Sequence, residues 1–312
     1  MKRKISVVVP SFNEEGNIEH LAARLLATLK TFTAYSYEVI FIDDGSADNT
    51  LDKLKALSQM DANFYYLELS RNFGHQNALK AGYDFATGDC IVSMDGDMQH
   101  PPELIGQFIE KWEEGYDVVY SCREYQDDAT IFKTKTSDLF YKMINSLSDT
   151  KLEKGTADFR LIDRKVANVL VQLNENGLFM RGLIKWLGFK QYAIHYQADP
   201  RFSGKSKYTI KRMVKFAVEG ITAFSVRPLY LATGVGVFFS FMSLLYIPYI
   251  AWTFLYGHEV PGWASVLASV VFFGGMQLMV LGIIGTYLGK LFMQAKQRPN
   301  YIIRSTNLPD IK

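Results

Sequence analysis

Apolar runs of strand length alternate with amphipathic segments of helix length through the first part of the chain. The strand candidates begin at Ile5, Tyr37, Phe64, Asp89 and Asp117, and the helix candidates between them are Asn17–Leu29, Asp48–Met60, Gln76–Ala86 and Pro101–Glu114. The runs are continuously apolar instead of alternating, which indicates strands buried on both faces. This βα order predicts an α/β fold with a mostly parallel sheet and helices on both sides.

Polar segments follow four of the predicted strands directly. They read PSFNEE, DDGSADNT, MDGDMQH and CREYQDD. Ligands of such folds bind beyond the carboxyl ends of the strands, so a functional site is expected at this edge of the sheet. The sequence contains no G-x-G-x-x-G or P-loop pattern, and a dinucleotide cofactor or an ATP-type phosphate cradle is therefore not indicated.

Two long uncharged runs near the C-terminus indicate a membrane protein instead of a soluble one. Residues 229–256 and 264–289 give 28 and 26 residues without Asp, Glu, Lys or Arg. Each run exceeds the roughly 20 residues that a helix needs to cross a bilayer. A buried core helix imitates one such run, but two in tandem are hard to explain in that way. We therefore predict two transmembrane helices within 228–291.

The charges that flank these runs predict their orientation. Lys and Arg precede the first run and follow the second, whereas the connecting GHEVPGW has neither. By the positive-inside rule both termini are cytoplasmic and the short loop faces outward, as in a multi-pass protein of the cell inner membrane. The predicted domains are a cytoplasmic catalytic domain (1–206), a juxtamembrane segment (207–227), the two spans and a cytoplasmic tail (292–312).

The juxtamembrane segment has the pattern of an amphipathic helix. Apolar residues from Ile210 to Phe224 recur at helical spacing, with Lys211, Arg212 and Lys215 on the opposite face. We interpret this segment as a helix on the membrane surface, with a core-packing helix as the alternative.

Composition adds two exclusions. The formal net charge of +2 over 312 residues gives no reason to expect nucleic-acid binding. Two cysteines, Cys90 and Cys122, are too few for a disulfide framework and fit a reduced, cytoplasm-facing domain.

The pair Asp43-Asp44 follows the second predicted strand and allows two interpretations. Ser46 or Asp48 in the same turn can cap the next helix. A cap does not explain two carboxylates at a strand terminus, which can instead accept hydrogen bonds from the ribose or base of a nucleotide. The local sequence does not separate these alternatives.

The stretch VSMDGDMQHPPEL raises a similar question about metal binding. Asp95 and Asp97, two positions apart after a strand, can point the same way, and Gln99 lies nearby. Their oxygens are the ligands that Mg²⁺ or Mn²⁺ prefers, with diphosphate oxygens completing the shell. The alternative is an Asp-rich turn before a helix that begins at Pro101. His100 is interpreted as a capping or packing residue.

Two further segments carry charges that suit a site. Asp158 interrupts the strand-like KGTADFRLIDR, so it lies either on an exposed strand face or in the site. The basic, Gly/Ser-containing loop from Arg201 to Tyr208 can bring cations onto phosphates. A solvated linker, or a basic patch attracted to anionic lipid, is the alternative for this loop.

Six segments occur in an order that resembles the family 2 glycosyltransferases of the GT-A fold. They are VVVPSFNEEGNI, DDGSADNT, LSRNFGHQNALKAG, MDGDMQHPPEL, ADFRLIDR and RFSGKSKY. The resemblance is greatest to the polyprenyl-phosphate glycosyltransferases, namely the bactoprenol glucosyltransferases and, more distantly, the dolichol-phosphate mannose synthases. It extends over essentially the whole chain, including the predicted spans.

The resemblance implies a nucleotide-sugar donor, a divalent cation (Mg²⁺ or Mn²⁺), a polyprenyl phosphate acceptor and a possible homo-tetramer. It also implies site residues. The nucleoside would be held by Pro10, Phe12, Glu14, Asp43 and Asp44, and the metal and diphosphate by Asp95, Asp97 and Gln99. The acceptor phosphate would be held by Arg123, Lys133 and Ser137. Arg201 and Lys205 would belong to the basic loop that closes on the phosphates, and Asp158 would lie near the reacting sugar. Phe12 replaces the family's usual Tyr, and Ala157 replaces its usual Gly.

The expected reaction is inverting sugar transfer to undecaprenyl phosphate at the cytoplasmic face, with UDP-glucose as the donor expected from resemblance alone. GDP-mannose and UDP-amino sugars are the alternative donors. A processive polysaccharide synthase is the alternative enzyme, but its Q-x-x-R-W motif is missing from the sequence. A non-catalytic membrane scaffold or a flippase subunit is the alternative outside enzymes. A scaffold has no need for acids at four strand ends, and two spans make a poor translocation path for a flippase.

Overall fold

The computed structural model describes residues 2–123, 155–197, 222, 225–256 and 262–309. In these residues eight strands form one sheet in the order β7-β5-β6-β4-β1-β2-β3-β8. The strands are β1 (Arg3–Ser11), β2 (Tyr35–Asp43), β3 (Phe64–Leu69), β4 (Cys90–Ser93), β5 (Val118–Arg123), β6 (Thr156–Asp163), β7 (Gln191–Tyr196) and β8 (Ile303–Thr306).

Helices lie on both faces of this sheet, and two long helices follow it. The helices in the described residues are α1 (Ile18–Leu29), α2 (Thr50–Met60), α3 (His75–Phe85), α4 (Ile105–Glu113), α5 (Arg164–Gln172), α6 (Met180–Trp186), α7 (Arg227–Leu255) and α8 (Trp263–Ala295). A short 3₁₀ turn, Pro102–Leu104, precedes α4.

The pairing of the strands brings four carboxyl ends to one edge. Strands β4, β1, β2 and β3 are parallel neighbours. Strand β6 runs antiparallel between β4 and β5, so β5 again points the same way as β4. The carboxyl ends of β1, β2, β4 and β5 therefore share one edge, which confirms the predicted mostly parallel α/β architecture.

Two apolar clusters, one on each face, explain why the strands are continuously apolar. Val7 and Val9 of β1 belong to the cluster under α1 and α4, whereas Val8 belongs to the cluster under α3, α5 and α6. All three valines are fully buried. Successive side chains of a strand point to opposite faces, so both faces of β1 require apolar residues.

The predicted elements up to α4 agree with the structure to within a few residues. One boundary differs: Pro101 is extended, with φ −72° and ψ 117°, and Pro102 is the first residue of the 3₁₀ turn. The residue before a proline is kept out of the helical region, so Pro102 excludes Pro101 from the first turn. Within the predicted tail, the structure places β8, which pairs antiparallel with β3.

The C-terminal helices only partly test the predicted spans. Among the described residues, one helical segment, Ser265–Ala295, is long and apolar enough to cross a membrane, with a mean hydropathy of 2.2. Helix α7 contains 29 residues and contacts α8 through Phe239, whose ring centroid lies 5.8 Å from those of Phe272 and Phe273. The first span therefore stays a prediction. The predicted amphipathic helix lies almost entirely outside the described residues.

We expect Gly82→Ala to lower the free energy of unfolding by about 1–3 kcal/mol. A Cβ at this position of α3 would lie 2.0 Å from Val8 Cγ1 and 2.9 Å from Ile42 Cδ1, inside the core of the sheet. The control is Gly106→Ala in α4, where the new Cβ would meet ring atoms of Phe32 at an ordinary 3.6 Å. Thermal unfolding of both variants checks this. Equal midpoints for the two variants would contradict the close packing of α3 on the sheet.

Candidate active site

The loops after β1 and β2 are joined by hydrogen bonds between backbone and side chains. Asp44 N donates to Ser11 O at 2.9 Å. Asn13 N donates to Ser46 Oγ and Glu14 N to Thr50 Oγ1, both at 2.9 Å. These bonds hold the first two polar segments as one unit at the edge of the sheet.

Within this unit the predicted nucleoside residues have different exposures. Pro10 is buried at the end of β1, Glu14 is half-buried and Phe12 is exposed. The Glu14 carboxylate accepts a hydrogen bond from Asn17 Nδ2 at 2.5 Å. Ser46 accepts from the preceding loop instead of capping α2, whose first residue, Thr50, donates its N–H to Asp48 Oδ1 at 3.0 Å.

The two carboxylates of the Asp43-Asp44 pair accept hydrogen bonds from different loops. Both are buried, and burial raises the pKa of each. Asp44 accepts hydrogen bonds from the backbone N–H groups of Phe73 and Gly74, at 2.7 and 2.9 Å. Asp43 accepts long bonds of 3.3 Å from Ser46 N, and the Ser46 side chain also acts on it. Asp44 thus fixes the loop that leads into α3, whereas Asp43 retains acceptor capacity.

Residues Asp95–Asp97 lie in a loop, because β4 already ends at Ser93. The expectation that strand geometry aligns the two carboxylates is therefore wrong, since the chain has left the strand and Met98 has a positive φ of 65°. The loop lies against the end of β1: a Cβ on Gly96 would be 3.1 Å from Ser11 Oγ. Glycine at this position permits the close approach.

The Asp95 side chain has the environment of a cation ligand. Its Oδ1 atom is buried and lacks a hydrogen-bond partner, and His75 Nε2 lies 3.5 Å from it. The Asp97 Oδ1 atom accepts from Gln99 N at 3.2 Å. A buried carboxylate oxygen without a hydrogen bond fits an oxygen-preferring cation such as Mg²⁺ or Mn²⁺. Among the described residues no cluster of three or more His, Cys, Asp or Glu is placed to hold a metal.

Asp158 on β6 is a buried charge of the site that several donors surround. Its carboxylate accepts two hydrogen bonds from Arg181 (Nε at 2.9 Å, Nη2 at 2.8 Å) and one from Arg160 Nη2 at 3.2 Å. Gln76 Nε2 and His75 Nε2 each lie 3.4 Å from its Oδ2. Asp158 is 3% exposed, which excludes the exposed strand face that the sequence left open.

These contacts determine which groups carry charge. Although burial alone raises the pKa of Asp158, Arg181, His75 and Arg160 hold that pKa well below its usual range. Burial lowers the pKa of His75, but Asp95 and Asp158 raise it to about 9. At neutral pH the site therefore contains a charged imidazolium beside the ionised Asp158 carboxylate, with Asp95 on the other side of the ring.

His100 supports the loop from behind, as the sequence suggested. Its Nδ1 atom accepts a hydrogen bond from Asp95 N at 3.0 Å. Its ring stacks on Phe159, with centroids 5.1 Å apart and an interplanar angle of 15°. His100 is thus a packing residue that anchors the start of the Asp95–Asp97 loop.

The remaining predicted residues are only partly visible. Arg123 is the last residue of β5, at the same edge of the sheet, and pairs in register with Tyr196. Four predicted phosphate-binding residues lie outside the described residues: Lys133, Ser137, Arg201 and Lys205.

Sequence reasoning missed four members of the site: His75, Gln76, Arg160 and Arg181. His75 and Gln76 are inside the quoted segment LSRNFGHQNALKAG, but nothing local shows that they face Asp95 and Asp158. Arg181 is 23 positions from its partner, on a short helix that the hydrophobic pattern did not predict.

We expect Asp158→Asn to destabilise the fold by about 3–5 kcal/mol at pH 7, because it leaves Arg160 buried without a counter-charge. The folded pKa of Asp158 lies below the unfolded value of about 3.9. Its stabilisation is therefore complete above that value and is lost as the pH falls through the folded pKa. Unfolding midpoints measured between pH 7 and pH 3 check this, with the exposed Asp52→Asn as the control. A parental midpoint for Asp158→Asn would contradict the ion cluster.

Comparison with known proteins places this site in a family. The family model described as glycosyl transferase family 2 matches residues 6–170. An uncharacterized glycosyltransferase of Synechocystis sp. is 42% identical over 304 residues, which cover 97% of this chain and 95% of that protein. The bactoprenol glucosyl transferase of Shigella phage SfX is 39% identical over 303 residues, which cover 97% of this chain and 99% of that protein.

A solved structure agrees with the fold. Mannosyl-3-phosphoglycerate synthase from Rubrobacter xylanophilus superposes with a TM-score of 0.50 at 16% identity, covering 71% of this chain and 73% of that one. At this identity the likeness concerns the fold alone. Together with the family match over the acidic strand ends, it identifies the chain as an enzyme of the family 2 glycosyltransferases with the GT-A α/β fold.

Proposed function

We propose that the protein transfers a sugar, with inversion, from a nucleotide sugar to a polyprenyl phosphate at the cytoplasmic face of the membrane. UDP-glucose is the proposed donor and undecaprenyl phosphate the proposed acceptor. The observation that carries this proposal is the meeting of three acidic segments, around Asp43, Asp95 and Asp158, at one edge of the sheet of a family 2 glycosyltransferase.

The acceptor is proposed from the relatives and from the C-terminal helices. A relative that matches over nearly the whole chain is named a bactoprenol glucosyl transferase, and the matched region includes α8. An apolar helix of this length suits an enzyme whose acceptor is dissolved in the bilayer. A tetramer stays a prediction from the family resemblance.

The position of β8 supports the proposed two-span topology. Strands β3 and β8 lie in one sheet, so the chain before α7 and the chain after α8 are on the same side of the membrane. If α8 crosses the bilayer, an even number of crossings is required, and α7 supplies the second. The Lys and Arg residues on both flanks favour the cytoplasmic side.

The nucleoside is proposed to bind between the loops after β1 and β2, near Pro10, Phe12 and Glu14. We assign its carboxylate partner to Asp43 in preference to Asp44. Both oxygens of Asp44 already accept short hydrogen bonds from Phe73 N and Gly74 N, whereas the bonds that Asp43 accepts from Ser46 N are longer, at 3.3 Å. The proposed role of Asp44 is to hold the loop that carries His75.

The donor diphosphate is proposed to lie at the Asp95–Asp97 loop. Asp95 and Asp97, with Gln99, would hold a divalent cation, and the buried Oδ1 of Asp95 supports this assignment. When bound, the cation offsets the charge that develops on the leaving nucleoside diphosphate. Arg201 and Lys205 are proposed to add positive charge to the same phosphates.

The proposed chemistry is a single displacement at the anomeric carbon. The bond between that carbon and the donor phosphate oxygen breaks as a lipid phosphate oxygen forms a new bond from the opposite side. An ionised phosphate is already a nucleophile, so no proton has to be removed. Arg123, Lys133 and Ser137 are proposed to hold the acceptor in line, which is catalysis by positioning. Asp158, ionised and enclosed by cations, positions His75 and Arg181 instead of acting as a base.

Labelled nucleotide sugars test the reaction directly. Membranes or detergent solutions containing the protein and undecaprenyl phosphate should convert label from UDP-glucose into a chloroform-extractable product, and EDTA should abolish this conversion. If the product instead carried label from GDP-mannose or a UDP-amino sugar, that nucleotide sugar would be the donor and the proposal of UDP-glucose would be wrong. The absence of product with every donor would favour a membrane scaffold.

We expect Asp97→Asn to lower kcat by about 100-fold, because a cation ligand worth several kcal/mol of transition-state stabilisation is removed. The exposed Asp52→Asn on α2 makes the same chemical change away from the site and should retain parental kcat. Rates are measured at saturating donor over a range of Mg²⁺ and Mn²⁺ concentrations. Parental turnover by Asp97→Asn would overturn the metal assignment.

A further inference from the structure

The end of α8 is joined to the catalytic domain by a compact set of hydrogen bonds. Gln294 Nε2 donates to Asn174 O at 2.8 Å, and Asn176 N donates to Gln294 Oε1 at 2.8 Å. Asn176 Nδ2 also donates to Met293 O at 3.0 Å. We call Asn174, Asn176, Met293 and Gln294 the junction. In it, one side-chain amide of α8 both donates to and accepts from the same catalytic-domain loop.

That loop leads within a few residues to the ion cluster of the site. Gly177, with φ +80°, turns the chain after the junction, and Leu178, Phe179 and Met180 are buried. Met180 N then donates to Gln76 Oε1 at 2.8 Å, while Gln76 Nε2 lies 3.4 Å from the Asp158 carboxylate.

The next residue along this path reaches the site itself. Arg181 makes the two shortest hydrogen bonds to the Asp158 carboxylate, at 2.8 and 2.9 Å. Gln294 contacts Asn176, and the five residues 177–181 lead from Asn176 to Arg181. Three of these five residues, 178–180, are buried. Displacing the loop at the junction would displace both Gln76 and Arg181.

We propose that Gln294 is a positioning residue: its contact with the Asn174–Asn176 loop holds α6 so that Arg181 and Gln76 fix Asp158 and His75 in the active site. The inference rests on the proposed transfer reaction and extends it. The proposed membrane helix thereby supports the chemistry of the site as well as anchoring the domain. Gln294 touches no proposed substrate group and acts only through the loop.

The first test separates positioning of the site from orientation of the domain on the membrane. Gln294→Ala and Asn176→Ala are compared with Gln172→Ala, an exposed residue on α5 near the same loop. Each protein is assayed with undecaprenyl phosphate and with a short-chain, water-soluble prenyl phosphate that needs no membrane. We expect kcat of both junction variants to fall about tenfold with both acceptors, the size of effect that losing about 1.4 kcal/mol of positioning gives.

Gln172→Ala should keep parental kcat, and KM for the lipid should be unchanged in all variants. The double variant Gln294→Ala/Asn176→Ala should lose at least as much kcat as either single variant, because Gln294→Ala removes the bonds to Asn174 O and Asn176 N, whereas Asn176→Ala removes the bond to Met293 O. A rise in KM for undecaprenyl phosphate alone, with parental kcat for the soluble acceptor, would show that the junction only orients the domain and would overturn the proposal.

A second measurement does not depend on activity. Hydrogen exchange of the peptide covering residues 177–187 should accelerate in Gln294→Ala and stay parental in Gln172→Ala, at equal unfolding midpoints. Unchanged exchange in Gln294→Ala refutes the inference even if the enzyme is active. Conversely, a parental protein without any transferase activity refutes the proposed function, while the exchange experiment still decides whether the junction holds α6.

Discussion

The burial of one carboxylate, Asp158, organises the site. An ionised carboxylate out of water is strongly unfavourable unless cations and hydrogen bonds compensate it. The compensation comes from elements far apart in the chain: Arg160 on β6 itself, His75 and Gln76 at the start of α3, and Arg181 on α6. Satisfying this charge therefore forces β6, α3 and α6 into one arrangement. The open edge of the sheet becomes a defined site because of it.

A second buried carboxylate, that of Asp44, helps to position His75, which lies against Asp158. Asp44 holds Phe73 N and Gly74 N, which immediately precede His75. Gly45 makes this possible, since a Cβ there would lie 2.6 Å from the carbonyl carbon of Arg71. The position of His75 is thus determined from two sides, by the end of β2 through the loop and by Asp95 and Asp158 through its own ring. His75 therefore links carboxylates at three strand ends. Asp44 holds the backbone that precedes it, and its imidazole lies beside Asp95 and Asp158.

The sequence predicts the parts of this arrangement that rest on local patterns. Apolar runs located β1 to β5, and a charge inside the strand-like KGTADFRLIDR singled out Asp158. The residues that contact Asp158 were not predicted, because no local sequence pattern marks them. Arg181, for example, lies on a short helix, and its role depends on how α6 packs. Strand β8 reads Ile-Arg-Ser-Thr, too polar to predict, and pairs with a strand more than 230 positions earlier through contacts such as Arg304 with Glu68 at 3.1 Å. Asp43 and Asp44 are equivalent in sequence, and only the backbone amides of another loop distinguish them.

The distribution of charge among the described residues supports the proposed cation at this site. Among the described residues, Arg160, Arg181 and His75 lie against Asp158, and His75 also lies 3.5 Å from Asp95 Oδ1. In the proposed function, Asp95 and Asp97 lie where the donor diphosphate would add negative charge. Like charges at this distance repel strongly in a partly buried site. A divalent cation held by Asp95 and Asp97 would offset that repulsion, whereas a further basic side chain at Asp95 would occupy the acceptor oxygens that such a cation needs. The enclosed Asp158 and the open Asp95 are thus complementary: the first fixes the geometry, and the second leaves a place for charge that arrives with the substrate.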